Sequence, residues 1–147
     1  MTRRIDIEAA QAAHQRAISG EREVFGDFFL ARLLGMEIRQ EDDACVVEFE
    51  VADFMFNPQG SLHGGIISTA LDISMGHRLN HVAGPGTTLE FKVQFMSASR
   101  SGRVSFRGEI VKRGGSICFL RAEARTADGE LLATATSTWK LLKRPGG

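Results

Sequence analysis

From residue 87 onward the apolar side chains of this 147-residue chain fall into strict alternation, and directly before that point they do not. Leu89, Phe91, Val93 and Phe95 alternate with Thr88, Glu90, Lys92 and Gln94, the period-two pattern of a strand with one buried face. Val104, Phe106 and Ile110 continue the pattern. Gly114-Gly115 and Asp128-Gly129 then mark tight turns, with further strands expected over 116–126 and 130–142. Residues 62–79, LHGGIISTALDISMGHRL, carry apolar residues on several faces, which predicts a helix that is largely buried rather than half exposed. A buried helix followed by four consecutive hairpin-linked strands is an α+β pattern and not a doubly wound sheet. The economical solution is one long central helix wrapped by a curved antiparallel sheet.

Upstream, residues 6–18 are alanine-rich and predict a helix stopped by Ser19-Gly20. Residues 21–34 are expected to continue helical, with Val24, Phe25, Phe28, Phe29, Leu33 and Leu34 as an apolar stripe and Gly35 as its end. Residues 36–51 read as strand, turning back at Glu41 to Asp43. The chain divides on this reading into a helical N-terminal extension, 1–34, and a single domain, 35–147. Eighteen Lys and Arg balance eighteen Asp and Glu, so no global field draws the chain onto nucleic acid or an anionic membrane. No apolar run is long enough to span a bilayer, and MTRRIDIEAAQAAHQ lacks the apolar stretch of a secretory signal, so a cytoplasmic location is expected. Cys45 and Cys118 lie in apolar strand-like runs and read as reduced, buried thiols.

The chemistry concentrates between Asn57 and Asp72. A helix beginning at Gly64 or Gly65 presents unpaired backbone N–H groups and the positive end of its dipole, and glycine lets a ligand approach the backbone closely. Such donors suit the oxyanion that develops when a thioester carbonyl is attacked, although two glycines also suit a tightly packed loop. Asp72 stands between Leu71 and Ile73 in an almost wholly apolar run, where it can cap nothing and a carboxylate is costly to bury. Partial desolvation there raises a carboxyl pKa and makes a better base. His77 and His81 read as dipole partners at the helix end or as surface residues. No His, Cys and carboxylate spacing resembles a metal site. Seven positions separate Gly65 from Asp72, about 10 Å of helix rise. A carbonyl held at the helix start must lie within about 3 Å of both donor and attacker. The carboxylate is therefore expected from an antiparallel helix of a second subunit, with a two-fold dimer as the minimum working unit.

The run Asn57-Pro58-x-Gly60-x-Leu62-His63-Gly64-Gly65, followed by acidic Asp72, resembles the central-helix signature of the hotdog-fold acyl-CoA thioesterases, specifically their phenylacetate-pathway branch. GPGTTLEFKVQFMSAS is similar to the strand that follows the helix in that branch, and the likeness runs from about Gly35 to the C-terminus. It implies a hotdog fold and hydrolysis of acyl-CoA to free acid and CoA without a cofactor. It implies Gly64, with or without Gly65, as the donor that polarises the carbonyl, and Asp72 as nucleophile or general base. Asn57 and His63 flank that point and help hold the carbonyl or the catalytic water, His63 also favouring thiolate departure. Thr88 corresponds to a hydroxyl that orients water or carboxylate; strand alternation sets it with Glu90 and Lys92, which leaves Thr87 as the alternative. Lys112 and Arg113, before Gly114, correspond to a turn that meets coenzyme A phosphates. Relatives of this kind form dimers and often dimers of dimers. Asn57 before Pro58 is equally a good turn residue, and His63 equally a loop-closing one.

Two rival functions are weaker. A hotdog enoyl-thioester hydratase pairs Asp and His around an Asn-Pro, but here Asp53 lies too far before Asn57-Pro58 and His63 too far after. A non-catalytic acyl-CoA-binding protein has no use for Asp72, and no helix-turn-helix module accompanies this chain. The acyl group, aryl-acetyl or medium-chain, is left open.

Overall fold

The structure, a computed structural model, describes residues 3–143; the ends of the two segment ranges, 1–2 and 144–147, lie outside the described residues. Asp6 caps α1 (Ile7–Ile18), its carboxylate accepting the Ala9 N–H at 3.0 Å, and Ala13 and Ala17 face inward. A second helix, α2 (Phe29–Leu34), ends at Gly35 in the left-handed region, φ 67°. The continuous helix expected over 21–34 is not there. Val24 and Asp27 exchange backbone hydrogen bonds at 3.0 Å across a tight turn, and Gly26 supplies the positive φ of 87° that this turn needs and a helix forbids. The expected stripe is accordingly dispersed: Val24 and Phe25 are more than half exposed.

β1 (Glu37–Gln40) and β2 (Cys45–Glu50) form the expected hairpin, turning at Glu41 to Asp43. Arg78 pins that turn to the central helix by donating to the carbonyls of Glu41 and Asp42 at 3.1 and 2.8 Å. The helix itself, α3 (Gly64–Val82), is followed by β3 (Gly86–Phe95), β4 (Arg103–Arg113), β5 (Ile117–Thr126) and β6 (Leu131–Leu141). Every pairing is antiparallel, in the order β1-β2-β4-β5-β6-β3. α3 lies on the inner face of this six-stranded sheet. At Gly108 the approach is so close that a β-carbon would lie 2.5 Å from the Ser74 backbone. Leu71, Met75 and Leu79 of the helix and Phe49, Phe106 and Leu120 of the sheet are fully buried in one core. Cys45 and Cys118 are free and buried within it, and burial pushes the Cys45 thiol up to about 11. Irregularities at Leu89 in β3 and Val111 in β4 bend the strands around the helix. This is the α+β hotdog arrangement: one long helix wrapped by a curved antiparallel sheet, with short helices at its N-terminal side. Among the described residues no helix is long and apolar enough to cross a membrane.

Candidate active site

The segment before α3 is built to place one residue. A 3-10 turn at Asp53–Met55 leads into a short antiparallel bridge between Phe56 and Leu62. Asn57 closes the loop between them: its amide N–H reaches the Ser61 carbonyl at 2.9 Å, and its side chain accepts the Ser61 N–H at 3.2 Å and donates to the Ser61 hydroxyl at 3.1 Å. The His63 N–H is taken by the Met55 carbonyl at 2.9 Å. His63 thereby becomes the N-cap of α3, its backbone extended at φ −62°, ψ 134°.

Capping decides which donors stay open. The His63 Nδ1 accepts the Gly65 N–H at 2.8 Å, and its carbonyl accepts from Ile66 and Ile67. Nδ1 is an acceptor here, so the neutral ring carries its hydrogen on Nε2. Of the two glycines expected to present a donor, Gly65 is therefore engaged. Gly64, the first residue of the helix, has no acceptor for its N–H among the described residues. Phe95 stands over it, its ring edge 3.2 Å from where a Gly64 β-carbon would lie. Nothing in the sequence singles out Phe95 or Ser61 for this neighbourhood. Asn57 and His63 both perform the loop-closing roles open to them.

Asp72 lies two turns along α3, half-buried. Thr88 donates its hydroxyl hydrogen to Asp72 Oδ1 at 2.9 Å; Oδ2 accepts nothing among the described residues, and no cation pairs with the group. Burial pushes the carboxyl pKa up, and the Thr88 hydrogen bond works against that rise. Of Thr87 and Thr88, it is Thr88 whose hydroxyl meets Asp72. Simple alternation sets Thr88 with Glu90 on the outer face, but the register slips between them: Thr88 pairs Trp139, Glu90 pairs Thr138, and Leu89 is the extra residue. Leu89 is consequently 54% exposed instead of inward, and Thr88 faces the helix in its place. Thr87 is exposed.

Lys112 and Arg113 stand apart from this pair. They end β4 at the turn to β5, exposed and without a carboxylate partner among the described residues. The Gly114 N–H closes that turn on the Ile117 carbonyl at 3.0 Å, and a β-carbon there would lie 2.2 Å from the same oxygen. Register places Arg113, Cys118, Trp139 and Thr88 in one row across β4, β5, β6 and β3. The turn cations thus sit at the same end of the sheet as Thr88, three strand spacings or about 14 Å away.

His77 departs from expectation. It is neither a dipole partner nor a surface residue but is buried between Phe25 and Phe28, with ring centroids at 4.9 and 5.8 Å. Its Nε2 accepts the Gly26 N–H at 2.9 Å, and Nδ1 lies 3.1 Å from the Ile73 carbonyl. His81 is exposed in the last turn. Among the described residues no group of three or more His, Cys, Asp and Glu is arranged so that it could hold a metal ion.

A family model, the thioesterase superfamily, matches residues 59–133, which include Gly64, Asp72, Thr88 and the Lys112–Gly114 turn. A Saccharolobus solfataricus protein named as an esterase candidate is 32% identical over 108 residues, covering 72% of this chain and 77% of its own. The medium/long-chain acyl-CoA thioesterase YigI of Escherichia coli is 24% identical over 131 residues, covering 74% and 82%. The crystal structure of a Bacillus halodurans protein with CoA superposes with a TM-score of 0.83 at 22% identity, covering 94% of each chain. By the extent of the family match and by the archaeal likeness, the chain belongs to the thioesterase superfamily.

Proposed function

We propose that the protein hydrolyses acyl-CoA thioesters to the free acid and CoA. The observation that carries this reading is one helix offering both halves of the chemistry: an open N–H at Gly64 and a half-buried, Thr88-held carboxylate at Asp72. In the proposed reaction the Gly64 N–H donates to the developing oxyanion, aided by the helix dipole. Asp72 takes a proton from water through its unengaged Oδ2, the water attacks the thioester carbonyl, and the tetrahedral intermediate expels the CoA sulfur, which the same proton neutralises. The Lys112–Arg113 turn, unpaired and about 14 Å from Thr88, suits the phosphates of CoA. The Escherichia coli relative and the CoA-bound neighbour support that ligand class. The Asn57–Gly65 signature supports the phenylacetate-pathway branch.

With Gly65 engaged, donor and carboxylate are eight positions apart, about 12 Å of rise. We place the working site between two subunits of a two-fold dimer, with each carboxylate serving the other chain's helix start. Two surfaces support this. β3 is an edge strand of ten residues, and beside its unpaired edge Leu89, Phe95 and Met96 are each more than half exposed, a template for a second copy. At the start of α3, Gly65 is exposed and Thr69, one turn on, is not buried, and both are small enough for another helix to approach.

The experiment is free-thiol release from a panel of acyl-CoA thioesters, arylacetyl and short- to long-chain. Turnover on at least one class, unchanged by EDTA, is expected. An inert protein across the panel overturns the function; loss with EDTA and recovery with zinc overturns the site.

A further inference from the structure

We infer that Trp139 is a positioning residue for Asp72: its indole forms the apolar wall beside the Asp72–Thr88 pair and keeps water from that side of the carboxylate. The inference rests on Asp72 being the working base. Trp139 is the register partner of Thr88, so the two side chains stand on the same, helix-facing side of the sheet with β-carbons about 5 Å apart. Only 5% of Trp139 is exposed. Its ring runs from strand to helix. A β-carbon on Gly86 would lie 3.6 Å from Cε3, and one on Gly76 would lie 2.7 Å from Cη2 and 3.2 Å from Cζ3. Gly76 is four residues beyond Asp72, hence one turn further on the same face of α3. The ring therefore reaches the helix directly beside the carboxylate, through space that the glycine leaves free.

The orientation of the ring is fixed by a buried polar chain. Nε1–H donates to the Ser137 hydroxyl at 2.7 Å, and that hydroxyl donates to the Met75 sulfur at 3.1 Å. The indole cannot turn away without leaving a buried donor unpaired. What the wall governs follows from what else faces Asp72. Thr88 on β3 is its hydrogen-bond partner. Glu90, next on that strand, points outward to Thr138, and Lys140 on β6 is exposed. On α3, His77 turns to Gly26 and Arg78 to the β1–β2 turn. No charged group among the described residues pairs with the carboxylate, so apolar contact sets its basicity, and burial is indeed the leading influence on it.

The test is a ¹³C-carboxyl NMR titration of Asp-labelled full-length protein, with the Asp72 signal identified by its loss in Asp72→Asn. Trp139→Leu opens the wall and should lower the Asp72 midpoint by about one pH unit, the size of a partial-desolvation effect. Trp139→Phe keeps a smaller ring and should move it less, in the same direction; it decides the matter if the leucine variant fails to fold. The chain has one tryptophan and no tyrosine, so folding is checked by circular dichroism rather than emission. A folded variant that melts earlier but leaves the midpoint in place overturns the inference, because that is the signature of packing alone. The titration uses no substrate. Absence of thioesterase activity would therefore refute the proposed function while the titration still decides the role of Trp139.

Discussion

Asp72 accepts one hydrogen bond in a half-buried setting, where a carboxylate that served only the fold would be fully paired or fully solvated. Asp72→Asn should keep the fold and lower turnover by at least ~10²-fold, the lower end for removing a positioned base, measured as thiol release at saturating acyl-CoA. Stability gives an independent reading. A carboxyl whose pKa is raised by folding favours the folded state below its unfolded value, and that contribution is lost as pH rises through the folded value. At neutral pH the ionised group opposes folding, so Asp72→Asn should melt at or above the parent there; a clearly lower melting temperature would make Asp72 a structural residue. Thr88→Val removes the influence that holds the pKa down, so the acid limb of the kcat profile should move to higher pH. An acid limb that stays put would detach Thr88 from catalysis. Asp72 is legible in the sequence because a lone carboxylate in an apolar helix is anomalous whatever surrounds it. Thr88 is reached through the family resemblance, whereas alternation alone turns it outward, because its inward turn to Asp72 rests on one extra residue in a strand sixteen positions away.

At the scale of elements, what the sequence shows is periodicity, and what it hides is where periodicity is interrupted. β3, β4, β5 and β6 alternate strongly enough to be located to within a few residues, and α3 starts where Gly64 and Gly65 permit. The slip at Leu89 leaves the composition of β3 unchanged and so cannot be seen before its pairing with β6 is known. Residues 21–28 mislead in another way. Val24, Phe25 and Phe28 keep helical spacing, but the backbone around Gly26 turns so that its N–H can reach His77, and Phe25 and Phe28 close on the imidazole instead of on each other. That contact makes the segment acid-sensitive. Burial lowers the His77 pKa, so the neutral ring stabilises the fold above the ordinary value of 6.5, and this is lost as pH falls below it. A protonated Nε2 would also face the Gly26 N–H, donor against donor. Of the other charged or titratable groups nearby, Glu23 shares one cavity with His77, and Arg39 and His81 share a second with it. Hydrogen-exchange protection at Gly26, taken relative to the intrinsic rate at each pH, should fall as the pH drops below 6.5, and His77→Gln should flatten that dependence; an equal fall in both proteins would sever the link.

The whole molecule is asymmetric in what it leaves uncovered. Its outer sheet surface is laced with ion pairs, Arg39 with Glu48, Arg103 with Glu37 and Glu48, Arg121 with Glu109, and is content with water. The apolar edge of β3 and the Gly65–Thr69 start of α3 have no such cover, and they are the surfaces on which the proposed two-chain site would close. The distance between Gly64 and Asp72 is readable from residue spacing alone, which is why the need for a second chain can be argued before any fold is known. It yields a test in which two inactive proteins make an active one. One parent is Asp72→Ala. The other is Gly64→Pro, which deletes the open donor and little else. Gly64 is the first helical residue, where proline is well tolerated, and His63 before it already has the extended backbone that a following proline requires. The half-exposed Phe95 ring can yield to the new side chain. Each variant is first shown to fold and self-associate. If each site joins Asp72 of one chain to Gly64 of the other, a mixed dimer contains one doubly damaged site and one intact site. Random reassociation makes about half of the dimers mixed, so about a quarter of all sites should regain activity under two-fold symmetry. If both residues serve a site within one chain, every site in every mixture stays damaged. The parents are unfolded together, refolded, separated by distinct tags to isolate the mixed species, and assayed. Recovery near a quarter of the unsubstituted protein's turnover in the unseparated mixture is expected, and isolated mixed dimers without activity would return the whole site to a single chain.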